Sequence, residues 1–149
     1  TEDKEVAEVA KQCGAKVVMR DPSLADDKTY KQVAIRAAAR EINASEGAPD
    51  VYISLQANSP QIKAEHLDGA IEVFLKYERD EVFSVDANLM QNAAFRIFKG
   101  DYVFQEDLST NCGVFICPLE DVHTIEDVER LESRGPNLNM FEEEQQNEE

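Results

Sequence analysis

The sequence predicts an α/β fold, a three-layer sandwich in which a mainly parallel sheet lies between helices. Strand-like and helix-like segments alternate from residue 15 to residue 85, which is typical of parallel α/β domains. The segment 51–55 (Val-Tyr-Ile-Ser-Leu) is apolar at nearly every position, the pattern of a strand buried on both faces. It stops in the polar residues 56–60 ahead of an amphipathic stretch, which predicts one strand-loop-helix unit.

Composition limits the class of protein. The 149 residues suit one domain, which we place at 1–134, followed by an acidic, disordered tail at 135–149. A net charge of −16 argues against binding to a nucleic-acid backbone. There is no apolar run long enough to span a bilayer, and no positively charged signal sequence opens the chain. Three cysteines without C-x-x-C spacing predict reduced thiols, so we expect a cytoplasmic protein.

The first third of the chain predicts a helix, a strand and a second helix. Thr1 is a candidate cap for the first helix, and Gly14 is a natural stop. Residues 15–19 predict a short strand, which a polar loop follows. Thr29 then has Gln32 at the capping-box position of a second helix.

The rest of the chain continues the pattern and then departs from it. Apolar residues at helical spacing between 67 and 75 predict a helix, and 81–85 predicts the next strand. Residues 94–98 and 102–104, joined through Lys-Gly-Asp, predict a hairpin. A buried strand is predicted at 113–117, and Thr124 with Asp127 three residues later predicts the cap of a last helix.

Polar residues at strand ends are the candidate functional residues. In open α/β sheets, ligands bind beyond the carboxyl ends of the strands, where Gln56, Asn58 and Ser59 are expected. An ordinary solvated loop explains them equally well. Arg20 directly follows a predicted strand, and an arginine at that edge suits phosphate binding. Asp26 and Asp27 either orient a substrate or form a solvated loop.

Six segments carry a further signal through their order. They are the helix and strand at 2–19, Arg-Asp-Pro-Ser-Leu-Ala-Asp-Asp at 20–27, Leu-Gln-Ala-Asn-Ser-Pro-Gln-Ile at 55–62, Val-Phe-Ser-Val at 82–85, Asn-Cys-Gly-Val-Phe-Ile at 111–116 and Asp-Val-His-Thr-Ile-Glu-Asp-Val at 121–128. In this order they resemble the motifs of the acylneuraminate cytidylyltransferases, which couple CTP to sialic acid or a related nonulosonic acid. The resemblance covers most of residues 1–132.

The resemblance implies a nucleotide-diphospho-sugar transferase-like fold and a site. By position, Arg20 contacts the nucleotide, Gln56 and Asn111 contact the sugar acid together with the neighbouring Asn58 and Ser59, and Asp121 acts in catalysis as the ligand of Mg²⁺. Mg²⁺ prefers a few hard carboxylate oxygens with water. The implied reaction, attack of a sugar hydroxyl on the α-phosphate of CTP, depends on alignment and charge neutralisation.

His123 stands where the family has a second aspartate. It is either a metal ligand or acid-base group, or a histidine at the start of a helix that hydrogen-bonds nearby backbone. Imidazole suits softer metals than Mg²⁺, so the implied metal site depends on Asp121 alone.

The family's N-terminal β-α-β unit with its phosphate loop has no counterpart here, and we expect a chain truncated at its N-terminus that needs the missing half or a second copy. The predicted partners are CTP and a sugar acid. Two alternatives stay open: an inactive relative serving as a binding or scaffold subunit, and a nucleotidyltransferase for another sugar.

Overall fold

The computed structural model describes residues 1–25, 29–106 and 109–134, and this part of the chain confirms the predicted α/β class. None of the helices in these ranges is long and apolar enough to cross a membrane. Short 3-10 turns precede α2 and follow β3, at Pro22–Leu24 and Tyr102–Phe104. In chain order the main elements are α1 (Lys4–Gln12), α2 (Lys31–Glu46), β1 (Val51–Leu55), α3 (Ala64–Lys76), β2 (Glu81–Val85), β3 (Gln91–Lys99), β4 (Cys112–Ile116) and α4 (Ile125–Arg134).

The four strands form one mixed sheet in the order β1-β3-β2-β4. β3 is antiparallel to β1, because the Gly100 N–H donates to Asp50 O at 2.7 Å and the Gln56 N–H donates to Ala94 O at 2.9 Å. Residue numbers of the hydrogen-bonded partners thus decrease along β3 as they increase along β1, which is the pattern of an antiparallel pair.

The strand β2 is parallel to β4, with Val82 beside Gly113 and Val85 beside Ile116. A tight turn, closed by the Asp86 N–H donating to Met90 O at 2.8 Å, joins β2 to its antiparallel neighbour β3. It follows that β1, β2 and β4 point in the same direction and their carboxyl ends share one edge. The predicted mainly parallel sheet is corrected to a mixed one, because β3 runs against both of its neighbours.

The described chain divides into two compact units, whose boundary falls within β1 and β3. The first takes the described part of Thr1–Tyr52 and Phe98–Leu108, and the second takes that of Ile53–Ile97 and Ser109–Glu149. The single domain expected at 1–134 stays a prediction, and the expected tail at 135–149 lies outside the described residues.

The core of the first unit centres on Tyr52, which is 9% exposed. Its ring meets Phe104 edge-on, with centroids 6.4 Å apart. Gln32 of α2 is buried beside this core and donates from Nε2 to Val103 O at 3.0 Å, so its polar group is satisfied. Other members of the cluster are Ile35, Ala39, Ile42, Phe98 and Tyr102.

The core of the second unit lies between α3 and the sheet. Ala70 and Phe74 of α3 are buried. The helix approaches β4 so closely that a Cβ at Gly69 would lie 2.9 Å from the Phe115 ring. The fully buried side chains on the strands of this unit are Val82, Ser84, Val85, Ala94, Phe95 and Ile97.

Two predicted strand features are wrong. Residues 15–19 form no strand: the Thr1 ammonium donates to Val18 O at 3.1 Å and the Arg20 N–H donates to Thr1 O at 2.8 Å, so this segment bonds to the start of the chain. The hairpin at 94–104 is also absent. β3 continues to Lys99, and the turn after it places Val103 in the first core.

The predicted burial of 51–55 on both faces, and the prediction of a buried strand at 113–117, are wrong as well. β1 and β4 are the outer strands of the sheet. Ile53 and Leu55 are 40% and 51% exposed, and Val114 and Ile116 are 45% and 53% exposed. Alternate residues of an outer strand can stay in solvent when only one face is covered, as α3 covers Phe115.

The helix caps agree with prediction only at α4. There the Asp127 N–H donates to Thr124 Oγ1 at 3.2 Å, and Asp127 Oδ2 accepts from the Thr124 N–H at 3.0 Å, a reciprocal capping box. At α1 the cap is Asp3 rather than Thr1. At α2 the N-cap is Tyr30, one residue after the predicted Thr29, and its side chain makes no cap bond.

Candidate functional site

The loops that follow β1 and β4 come together in the second unit, at the edge where the parallel strands end. We call residues 56–62 and 117–122 the rim. Successive turns shape the first loop, with the Ser59 N–H donating to Gln56 O at 3.2 Å and the Ile62 N–H donating to Ser59 O at 3.3 Å. Because β1 and β4 are the outer strands, these loops meet past the ends of the strands between them.

A hydroxyl-carboxylate bond joins the two loops. Ser59 Oγ donates to Asp121 Oδ1 at 2.6 Å, across 62 positions of sequence. Ser59 is only 2% exposed, whereas Asp121 is half-buried. The short distance is that of a charge-assisted O–H···O⁻ bond. The serine hydroxyl is therefore committed to the aspartate and does not face solvent.

Two further bonds flank this pair. The Val122 N–H donates to Asn58 O at 2.8 Å, and the Glu120 N–H donates to Gln61 Oε1 at 3.1 Å. Three consecutive residues of one loop are thus each bonded to the other loop. A carboxylate on such a segment is held by its neighbours on both sides.

The start of the second loop is fixed from the core. Ser84, fully buried in β2, donates from Oγ to Asn92 Oδ1 at 2.6 Å and accepts from the Phe95 N–H at 3.1 Å. Asn92 Nδ2 in turn donates to Cys117 O at 2.7 Å. This satisfied polar network sets the direction in which the chain leaves β4.

Arginines of α4 neutralise part of the acidic rim. Arg130 pairs with Glu120 at 3.0 Å, and Arg134 pairs with the same carboxylate. Sequence reasoning missed Gln61 of the rim and these two arginines, which contact the rim from α4. The arginines carry a signal, since positions four apart share one helix face. Gln61 carries none, because its importance comes from a contact 59 residues away.

His123 lies at the start of α4 with an exposed side chain. Its main-chain N–H donates to Asp127 Oδ2 at 3.0 Å. This bond, together with that from the Thr124 N–H, lowers the pKa of Asp127 below its usual range. The second interpretation of His123, a histidine at a helix start, matches its position, although its bond comes from the backbone and not from the imidazole.

The predicted substrate residues fall into two places. Asn58 and Ser59 lie on the rim, and Gln56 begins it. Asn111 does not lie there: it precedes β4 and accepts from Arg79 Nη1 at 2.7 Å. Five strand residues separate Asn111 from the other end of β4, which corresponds to about 17 Å.

Arg20 lies in the first unit. Its Nε donates to Glu2 Oε2 at 2.8 Å, its Nη2 contacts the same oxygen, and its side chain is 32% exposed. The arginine hydrogen bond lowers the pKa of Glu2. The predicted nucleotide contact is therefore already paired with a carboxylate. Asp26 and Asp27, the candidates for orienting substrate, lie outside the described residues.

Of the two rim carboxylates, Glu120 is paired with the arginines of α4, which leaves Asp121 as the candidate for binding a divalent cation. Within the described ranges, no group of three or more His, Cys, Asp or Glu side chains is arranged to hold a metal ion. Mg²⁺ is commonly held by one or two carboxylates, with water and substrate phosphates completing its shell. Asp121, which is half-buried and accepts the Ser59 hydroxyl at Oδ1, fits that role of a single protein ligand.

The fold and the rim define an α/β protein whose polar loops gather at the carboxyl ends of its parallel strands, the edge at which open α/β sheets generally bind ligands. The family described as Cytidylyltransferase matches residues 1–112, three quarters of the chain. The chain therefore belongs to the cytidylyltransferase family.

Two curated relatives are each similar to part of the chain. The chain is 36% identical over 85 residues to N-acylneuraminate cytidylyltransferase A of Danio rerio, covering 57% of the chain and 19% of that protein. It is 42% identical over 74 residues to 3-deoxy-manno-octulosonate cytidylyltransferase of Pelodictyon phaeoclathratiforme, covering 50% of the chain and 26% of that protein. The chain thus spans about a fifth to a quarter of the length of these relatives.

Proposed function

We propose that this chain serves the transfer of CMP from CTP to a sugar acid, with sialic acid or a related nonulosonic acid as acceptor. Membership of the cytidylyltransferase family supports the nucleotide, and the likeness to the N-acylneuraminate enzyme supports the acceptor. The observation that carries the proposal is the rim. It places a half-buried aspartate beside polar groups at the edge where ligands bind in α/β sheets.

The chemistry needs alignment more than covalent participation. A hydroxyl of the acceptor would attack the α-phosphorus of CTP and release its proton to solvent, the bond from that phosphorus to the oxygen bridging it to the β-phosphate would break, and pyrophosphate would leave. Asp121 would hold Mg²⁺, and the ion would supply charge neutralisation to the phosphates. The amides of Gln56 and Asn58 are proposed to bind hydroxyl or amide groups of the acceptor, since they both donate and accept.

The assignments of Arg20 to the nucleotide and of Asn111 to the sugar acid are separate proposals, because they rest on the resemblance alone. The permanent positive charge of Arg20 suits phosphate binding. A phosphate must, however, displace the Glu2 carboxylate from the Arg20 guanidinium. Asn111 is engaged by Arg79 at the other end of β4.

A second candidate acceptor is 3-deoxy-manno-octulosonate. The likeness to the enzyme of that name favours it, with a higher identity over a shorter segment. Both acceptors carry a carboxylate, so the chemistry of the rim does not separate them.

Pyrophosphate release by the purified chain, measured with CTP, Mg²⁺ and each acid in turn, tests the proposal. We expect release with one of the acids once the N-terminal half that we expect to be missing, taken from a relative, or a second copy of the chain completes the site, and under the same conditions an Asp121→Asn variant should lower it at least about 100-fold, as removal of a charge-stabilising group does. Asp68→Asn, an exposed carboxylate on α3, is the matched control and should keep the wild-type rate. Equal rates in the two variants would remove Asp121 from the site, and release with neither acid would contradict the proposed reaction.

A further inference from the structure

Ser59 is too deeply buried to touch a substrate. At 2% exposed, its hydroxyl cannot reach a ligand without a rearrangement of the loop. Its one donor proton goes to Asp121 Oδ1 at 2.6 Å. What the hydroxyl does is restrict the rotation of the aspartate carboxylate.

The neighbouring bonds act on the backbone of the same segment. Residues 120, 121 and 122 are bonded in turn to Gln61, Ser59 and Asn58. As one loop advances, its partners on the other recede, so the two segments run antiparallel. This arrangement fixes both the main chain and the side chain of Asp121, and it leaves Oδ2 as the carboxylate oxygen without a bond from Ser59.

We propose that Ser59 and Gln61 are positioning residues that hold the Asp121 carboxylate ready for a divalent cation carried by the nucleotide. The inference rests on the proposed function, since it takes Asp121 as the ligand. It changes the role of Ser59 from substrate contact to support. A carboxylate already fixed in one rotamer gives up less conformational entropy when it binds an ion.

The test is the binding of Mn²⁺ in the presence of CTP, followed by NMR on the complete chain. Mn²⁺ broadens the amide signals of nearby residues, so loss of the Asp121 and Val122 signals reports this position. Site resolution is needed because a chain of net charge −16 attracts divalent ions elsewhere. Ser59→Ala should need about 3- to 10-fold more Mn²⁺ for equal broadening, the effect of one freed side chain.

Ser109→Ala is the matched control. Ser109 Oγ donates to Asp80 Oδ2 at 2.9 Å, which is also a serine-aspartate bond of the second unit, but it precedes β4 instead of following it. Each variant removes one serine-aspartate bond, and only Ser59→Ala should weaken Mn²⁺ binding at Asp121. If Ser59→Ala fails to fold, Gln61→Ala, which removes the other side-chain bond from a half-buried position, carries the same expectation.

The Asp121→Asn variant distinguishes failure of the positioning role from failure of the proposed function. If it weakens the broadening and Ser59→Ala does so too, the inference stands. If it weakens the broadening while the folded support variant binds like wild type, the positioning role is overturned and the proposed function survives. If Asp121→Asn changes nothing, or the wild-type signals never broaden, Asp121 is not a cation ligand and both proposals fall.

Discussion

Arg20 is paired before any ligand arrives. Its guanidinium bonds to Glu2 Oε2, and this bond lowers the pKa of Glu2. The pair is about one-third exposed, so solvent weakens it, and exposed ion pairs contribute little to stability. A polyphosphate brings more charge than one carboxylate. A nucleotide phosphate can therefore replace Glu2 as the partner of Arg20.

Removing Glu2 should favour the nucleotide if Arg20 binds phosphate. We expect Glu2→Gln to raise CTP affinity about 3-fold and Arg20→Ala to lower it about 10-fold, in line with a charge-assisted hydrogen bond. Calorimetric titration with Mg²⁺ and CTP measures both. Glu5→Gln, an exposed acid of α1, is the control. Because the pKa of Glu2 is lowered on folding, its stabilising effect is present above its usual pKa and is lost as the pH falls through the lowered value.

The three cysteines should differ in reactivity. Burial raises the pKa of the Cys117 thiol to about 11, and burial and the nearby Glu81 raise that of Cys112, while Cys13 is exposed. At pH 8 a thiol of pKa about 11 is thiolate in roughly one molecule in a thousand, and the thiolate is the nucleophile. Iodoacetamide followed by peptide mass spectrometry should label Cys13 first, Cys112 next and Cys117 last. Labelling of Cys117 as fast as Cys13 in the folded chain would contradict this order. In guanidinium, which unfolds the chain, the difference between the three labelling rates should disappear.

At the scale of elements, the turn after β3 depends on a glycine. A Cβ at Gly100 would lie 2.3 Å from Pro49 O, a backbone atom that cannot move aside cheaply. The Gly100 N–H also donates to Asp50 O at 2.7 Å, which keeps the two segments together. The contact is therefore one that only glycine allows.

Gly100→Ala should destabilise the fold by about 3 kcal/mol or more, the upper part of the range for overpacking. Gly14→Ala is the matched control: nothing lies within 4 Å of its added Cβ, and only its φ of +82° opposes the change. It should cost about 1 kcal/mol. Chemical unfolding of both variants decides the matter, and equal losses would show that backbone conformation, not the close contact, is limiting.

The sequence predicts elements better than it predicts their surroundings. β2 and α4 with its capping box follow from local patterns, and both are confirmed. The strand at 15–19 fails because its composition is strand-like but its main chain finds the N-terminus as partner. Neither the exposure of Ile53 nor the Ser59–Asp121 bond could be predicted, since both depend on which strand lies next to which.

At the scale of the whole molecule, charge opposes folding. Thirty-one acidic residues face 15 basic ones, so a net charge of −16 would remain even if every basic residue were paired as Arg96 is with Glu81, at 2.5 Å. Like charges held on one compact chain repel one another, and salt screens them. The pairs that salt also weakens are mostly exposed and contribute little.

Salt should therefore stabilise this chain. Raising NaCl from about 20 mM to about 500 mM shortens the screening length several-fold, and we expect Tm to rise by about 3 to 5 °C. Thermal melts followed by circular dichroism at pH 7 measure it. A fall in Tm would mean that ion pairs such as Arg96–Glu81 outweigh the general repulsion.

The net negative charge also affects how copies of the chain associate through the outer strands. β1 and β4 end the sheet on either side, and within the described residues no further strand pairs with them. Their open main-chain groups, next to the exposed Ile53, Leu55, Val114 and Ile116, are what another copy needs in order to extend the sheet. Mutual repulsion between copies opposes such association at neutral pH. As the pH approaches the isoelectric point near 4.4, that protection fades, and light scattering should rise from edge-to-edge association while the strands themselves persist.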